Sequence, residues 1–275
     1  MLGLRTLALS SSLAAASFPC VPSPAQSDLK PDEILRSHLA RVGQTTARST
    51  RQNSVAEGPV VVKFLVGGSG SMTGEALFFS QGTKLRLTLT FDSQQYRAED
   101  IVFDGDKLSV AYAGTHSYSP LGQFLHTYNS IIKEGLLGSA LSTAWPLLDP
   151  SAKGAKVSYT GLENVGEAKL HRVEYRPRRG QGEVAVHLFF DPTTFRHIRT
   201  EYQVRIPAPL NRSIRDTSAS ETLYRLVETF EEFEAVEGLE LPRRWKLYFN
   251  ISGRMGVEWE WDVRFKSVTT NQKIG

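Results

Sequence analysis

Between residues 84 and 91 the chain alternates without a break: Leu85, Leu87, Leu89 and Phe91 fall against Lys84, Arg86, Thr88 and Thr90. A period of two is that of a strand with one apolar face and one wet face. The pattern recurs. Val184, Val186, Leu188 and Phe190 interleave with Ala185, His187 and Phe189, and residues 191–194 turn the chain. Ile198, Thr200, Tyr202, Val204 and Ile206 return, against His197, Arg199, Glu201, Gln203 and Arg205. Trp245, Leu247, Phe249 and Ile251 form another such strand. Val257, Trp259, Trp261, Val263 and Phe265 form the last, against Glu258, Glu260, Asp262 and Arg264. Residues 60–66, 76–79, 101–112 (a hairpin closed at Asp104-Gly105-Asp106), 156–159, 169–175 and 223–235 complete about ten or eleven predicted strands.

Two stretches keep a different period. Residues 31–42 place Ile34, Leu35, His38, Leu39 and Val42 on one helical face, with Pro31 at the start and Asp32 and Glu33 in the first turn. Residues 44–54 are polar and read as a loop or frayed helix end. In mid-chain, Leu121, Phe124, Leu125, Tyr128, Ile131 and Ile132 recur at spacings of three and four. Gly135 and Gly138 interrupt that helix, a second apolar run ends in Trp145, and Pro146 stops it.

Strands and helices do not alternate, so a parallel sheet is excluded. The pattern predicts a mainly β, α+β fold: one large curled antiparallel sheet, a half-barrel of about eleven strands. An N-terminal helix and a helical plug or lid would sit on its concave face. The expected concave wall comprises Leu87, Leu89, Phe91, Phe103, Tyr112, Phe190, Tyr202, Trp245, Phe249, Trp259 and Trp261. The expected lid comprises Leu121, Phe124, Leu125, Tyr128 and Trp145. A single curled sheet cannot fill its own concave side, so a large or openable apolar cavity is expected.

Composition adds limits. Of 275 residues, 40% are hydrophobic and 22% charged, enough for a real core. The formal charge of +3, from 32 basic and 29 acidic side chains, is too even for a nucleic-acid partner. Arg5, the apolar run over 7–16, and Pro19, Pro22 and Pro24 predict a cleaved secretory signal over residues 1–27, leaving one domain over 28–275 and placing it in the periplasm. Cys20 is the one cysteine, so no intramolecular disulfide can form. The residues before it match a bacterial lipidation box poorly.

The chemical motifs are mostly absent. There is no Gly-x-Ser-x-Gly elbow and no His-Glu-x-x-His, and Gly67, Gly68, Gly70 and Gly74 lack a phosphate loop's Lys-Ser/Thr ending. His187 and His197 are expected opposite one another on the polar face of a hairpin, as solvated side chains rather than a metal pair. Glu228, Glu231, Glu232 and Glu234 read as a charged strand that resists edge pairing. The expectation is a binding protein and not an enzyme, with no cofactor and no metal.

Residues 170–177 with 184–195, ending in Asp191-Pro192-Thr193-Thr194-Phe195, and residues 230–242, ending in Gly238-Leu239-Glu240-Leu241-Pro242, resemble the strands and turns of the LolA/LolB-like lipoprotein-carrier superfamily. The likeness is greater to its diverged outer-membrane-lipoprotein-sorting relatives than to the classical carrier. The resemblance implies a monomeric periplasmic protein that shelters the acyl chains of lipoproteins or other lipids, with inner- or outer-membrane transfer proteins as partners. It also implies a lid locked by an arginine near the start of the sheet, a region that here holds Arg48 and Arg51. The alternative it implies is an RseB-like interaction or stress-sensor module of the envelope, its cavity filled by its own helices.

Overall fold

Helix α1 (Pro31–Val42) lies where its apolar period places it and buries Ile34, Leu35, His38 and Val42. Pro31 occupies the first turn, and the Glu33 carboxylate reaches back to accept the Lys30 N–H at 3.0 Å. The polar stretch after it forms a short helix, α2 (Thr45–Thr50). The computed structural model describes residues 29–114, 116–149, 153–178, 183–208, 221–253 and 256–273. The expected signal over residues 1–27, with Cys20, and residues 209–220 of the polar loop lie outside the described residues.

One sheet organises the rest. Its first half is a meander of β1 (Asn53–Val66), β2 (Gly70–Gln81), β3 (Lys84–Phe91), β4 (Ala98–Phe103) and β5 (Leu108–Val110). The second half is a meander of β6 (Lys156–Val165), β7 (Ala168–Arg176), β8 (Ala185–Phe190), β9 (His197–Ile206), β10 (Thr222–Val236), β11 (Leu239–Ser252) and β12 (Val257–Arg264). The spatial order is β5-β4-β3-β2-β1-β12-β11-β10-β9-β8-β7-β6, all antiparallel, with a last strand β13 (Ser267–Thr270) also on β1. β5 and β6 do not pair, so the sheet stays open.

The described residues thus form 13 strands rather than about eleven. β13 lies beyond the last predicted strand, while β4 and β5 are the hairpin expected over 101–112. β1 begins seven residues before its predicted start and runs through Gly58-Pro59. There β1 changes partner: residues 54–57 pair with β13 and residues 60–66 with β12. A Cβ on Gly58 would lie 2.1 Å from the Arg264 carbonyl oxygen, so only glycine lets the two strands pass β1 this closely.

One predicted register is wrong. β8 and β9 pair His187 with Glu201, and the register slips at Phe189/Phe190 so that Phe190 faces His197. The slip is a bulge, and it moves one strand's residues across the sheet. His197 therefore lies on the concave face, 1% exposed, while His187 stays half-buried on the other face against Arg172.

The convex face carries the charges in ladders. Arg199 and Arg225 both bind Glu201, and Arg244 bridges Asp262 and Glu231. The concave face carries the apolar set, and the mid-chain segment fills it. That segment folds as α3 (Pro120–Thr127), α4 (Ser130–Lys133) and a 3-10 turn (Ser139–Leu141) rather than as one long helix. Ser119 caps α3 by accepting the Gly122 N–H at 2.8 Å. Leu121, Phe124, Leu125, Ile131, Ile132, Leu136, Leu137, Leu141, Trp145 and Leu147 are all buried, in one core with the sheet and α1.

Candidate functional site: the concave face and its plug

Leu87, Leu89, Phe91, Phe103, Phe190, Tyr202, Trp245, Phe249 and Trp261 all lie on the concave face and are buried in one core with the apolar side chains of residues 120–148, the plug. Phe124 meets Phe249 at 5.2 Å between ring centres, and Trp145 meets His197 at 5.0 Å. Tyr128 is half-buried beside Phe124 and Tyr224. Trp259 is half-buried at one end of the face. Tyr112 is a correction: it is 54% exposed and forms no part of the wall. β5 stops at Val110, so the alternation that put Tyr112 inward no longer applies, and its ring packs on Tyr118 instead. The expected large cavity is closed by the plug.

The plug is tied down by side chains. Arg51, just after α2, donates to the carbonyls of Ala140 (2.6 Å) and Leu141. Burial pulls its pKa down to about 10. Arg48, the other candidate for such a role, bonds Thr45 within its own helix. Glu228, wholly buried, accepts from the Gly138 N–H at 2.8 Å, the Tyr202 hydroxyl at 2.6 Å and the Trp245 indole at 3.0 Å. Burial pushes its carboxyl up to about 7. At the other end of the plug, buried Glu99 accepts from the Tyr96 hydroxyl at 2.7 Å and bonds Ser119, and burial pushes it up to about 7 as well. The Trp261 indole donates to Tyr96 at 2.8 Å.

His197 completes the seam. Its Nδ1 lies 2.6 Å from Ser139 Oγ and its Nε2 3.1 Å from Thr200 Oγ1. His38 of α1 bonds the Phe195 carbonyl through Nδ1 at 3.1 Å. Burial holds both imidazoles in the neutral form, His38 down to about 4 and His197 well below its ordinary value. Ser80 and Thr143 bond each other at 2.7 Å, and Thr143 donates to the Gly82 carbonyl.

The reading by residue type passed over Glu99, and its placing of Glu228 on a charged strand that resists edge pairing is corrected: β10 lies inside the sheet and Glu228 is buried. Each was legible by register: Glu99 shares a face with Ile101 and Phe103, and Glu228 with Leu226 and Phe230. A carboxylate on an apolar face is a buried polar anchor, and it must find donors.

Among the described residues, no three His, Cys, Asp or Glu side chains are placed to hold a metal ion. No helix among them is long and apolar enough to cross a membrane. Openings remain beside the plug. One, of about 430 Å³, is lined by Ile131 and Leu136 with Tyr175 and Val186. Another, of about 510 Å³, lies at the far end of β1, against Phe64, Met72 and Trp259.

No family model matches the sequence, and no curated protein matches it. Among solved structures, the chain is similar to an outer membrane lipoprotein-sorting protein domain from Vibrio parahaemolyticus, at 9% identity and a TM-score of 0.46, over 90% of this chain and 94% of that one. It is similar to a LolA superfamily protein from Nitrosomonas europaea, at 10% identity and a TM-score of 0.48, over 90% and 96%. It is also similar to a DUF1329 family protein from Desulfovibrio piger, at 11% identity and a TM-score of 0.43, over 88% and 95%.

Proposed function

We propose that the protein is an exported, periplasmic binding protein that shelters acyl chains of lipoproteins or other lipids on its concave face, the plug withdrawing to admit them. One observation carries this reading. Among the described residues, no backbone-to-backbone hydrogen bond joins residues 120–148 to the sheet. The plug can therefore leave without breaking a single rung of the ladder. What it gives up are apolar contacts and a few side-chain bonds, of which the Arg51 pair is the most specific.

An acyl chain replaces those contacts in kind. Each methylene moved out of water contributes about 0.8 kcal/mol, and a fully buried Leu or Phe roughly 1.5–3 kcal/mol. One long chain thus balances the loss of several plug side chains. The carrier resemblance of the turns supports the same reading, with membrane proteins on either side as the partners that load and unload the chain.

A second reading is favoured by the depth of the seal. Trp145, Leu137 and Leu141 are 0–1% exposed, and Glu228 is wholly buried. A plug this well packed also suits an envelope interaction or stress-sensor module whose concave side is filled for good. Native mass spectrometry of protein purified from its own envelope separates the two: a co-purifying lipid is the expected result, and a bare chain under all conditions overturns the carrier. Export is checked by N-terminal sequencing, with a start between Ser17 and Asp28 expected and an intact Met1 in the cytoplasm against it.

A further inference from the structure

The plug does not cover the whole concave face. At the far end of β1 the face continues through Phe64 and its cross-strand neighbour Trp259, and through Met72, which pairs with Val62. Ser93, Gln95, Tyr96, Ala113, Gly114 and residues 117–120 roof these side chains and leave the opening of about 510 Å³. That size lies within the range of small-ligand pockets.

The lining is of one chemical kind. Phe64 meets Trp259 edge-on at 4.7 Å, and Tyr96 lies 5.7 Å from Phe64 and 5.4 Å from Trp259. Ser69, Ser93, Gln95 and Ser117 supply hydroxyl and amide groups around this floor, and among the described residues no charged side chain lines it. An ionised group has no partner inside, so burial there would be costly. The Trp259 indole N–H is buried and has no acceptor among the described residues. A buried donor of this kind calls for an acceptor brought by something else. The surroundings are apolar as well: Leu65 and Val66, at the end of β1, are 50% and 44% exposed, and the Tyr112 ring packs at a tilt 4.8 Å from Tyr118 of the lining.

We propose that this pocket is the first seat of a single acyl chain, occupied while the plug is still closed. The hydrocarbon lies over Phe64 and Met72. The ester or amide carbonyl next to the head group supplies the acceptor that the Trp259 N–H lacks, and any charged head remains in water. The proposal rests on the acyl-chain reading above and adds where the chain enters.

The test titrates full-length mature protein with cis-parinaric acid, followed by its fluorescence, for the parent and for Met72→Trp, Trp259→Phe and Phe124→Ala, with circular dichroism to check folding. Met72→Trp fills the pocket, and Trp259→Phe keeps an aromatic ring but removes the N–H. The expected result is parent binding that weakens about tenfold in Met72→Trp and severalfold in Trp259→Phe. Energy transfer from tryptophan to the bound probe should also drop in Trp259→Phe. If both pocket variants bind like the parent while Phe124→Ala alters affinity, the chain enters beneath the plug; this inference is then overturned and the carrier reading stands. If the parent binds no probe, both are overturned.

Discussion

The backbone N–H of Gly138 donates to the buried carboxyl of Glu228 at 2.8 Å, so the plug is anchored on a group that titrates near neutrality. Burial raises Glu228 and Glu99 from an ordinary 4.5 to about 7. Between those values the unfolded carboxyls are ionised while the folded ones keep their protons. Raising the pH therefore lowers stability, on the order of 3 kcal/mol per group by pH 7, after which the loss is complete. His38 and His197 act in the opposite direction: below pH 6.5 the unfolded imidazoles take protons that the folded ones refuse. Below pH 6.5 the two effects oppose each other, so urea unfolding from pH 4 to 9 should show the carboxyl fall between about pH 6.5 and 7 and a level profile above it. The double variant Glu99→Gln/Glu228→Gln should instead gain stability as the pH rises to 6.5 and then stay level, and a profile like the parent's would contradict the assignment.

Arg51 bridges the start of the sheet to the 3-10 turn of the plug. Removing it leaves two carbonyls without their charged donor. Arg51→Ala should cost about 2–3 kcal/mol, since bonds to charged groups are worth roughly 1.5–3 kcal/mol. Hydrogen exchange at residues 131–145 should accelerate well before exchange in β1 or β12. Arg51→Lys, with a point charge in place of a fork, should fall between. Uniform acceleration across the sheet and plug would mean that Arg51 serves the whole fold and not the plug alone.

Gly138 holds φ at +83°, and a Cβ there would sit 2.6 Å from the Phe78 ring. Two costs add in Gly138→Ala: the left-handed backbone, about 1–2 kcal/mol, and displacement of a buried ring, typically 1–3 kcal/mol. Gly82→Ala carries the first cost only, because its φ is +56° and open space surrounds it. Thermal unfolding should rank Gly138→Ala clearly below Gly82→Ala. Equal melting temperatures would show that the ring yields freely and the seal over Phe78 is loose.

The two histidines should behave unlike each other. His197→Ala removes bonds to Ser139 and Thr200 and opens a void between Trp145 and Phe230, for about 2–4 kcal/mol. His187→Ala gives up one half-buried contact with Arg172 and should cost less than about 1 kcal/mol. Chemical denaturation of each single variant checks the contrast, and similar losses would restore the symmetric pair that strict alternation predicts.

Alternation was readable wherever a strand has one buried face. Phe91, Trp245 and Trp261 lie inward as their period requires. It failed at points where local geometry interrupts the count: the bulge that turns His197 inward, the end of β5 that frees Tyr112, and the Gly58-Pro59 step inside β1. A bulge adds a residue without any mark in composition, so its position follows from tertiary packing and not from the local pattern. Glu99 and Glu228 were obscured for another reason. Their register pointed inward, but their charge outweighed it in a reading by residue type. Arg51 stood in the right region, yet its partners are backbone carbonyls 89 and 90 residues away, which no pattern of side chains announces.

β1 pairs with β12, so Val60 lies across from Val263, with most of the chain between them. Each meander can zip hairpin by hairpin from neighbours in sequence, but the seam between them closes only once the end of the chain is available. Such distant pairing pays its loop entropy early and is slow. The protein should thus spend time as two half-sheets with the β1 and β12 edges bare, a state that invites pairing with other chains. Pulse-labelled exchange during refolding should protect β2–β3 and β10–β11 first and the Val60–Val263 seam last. Release of the whole polypeptide at once would shorten that exposed interval, whereas a pause before β12 is available would lengthen it.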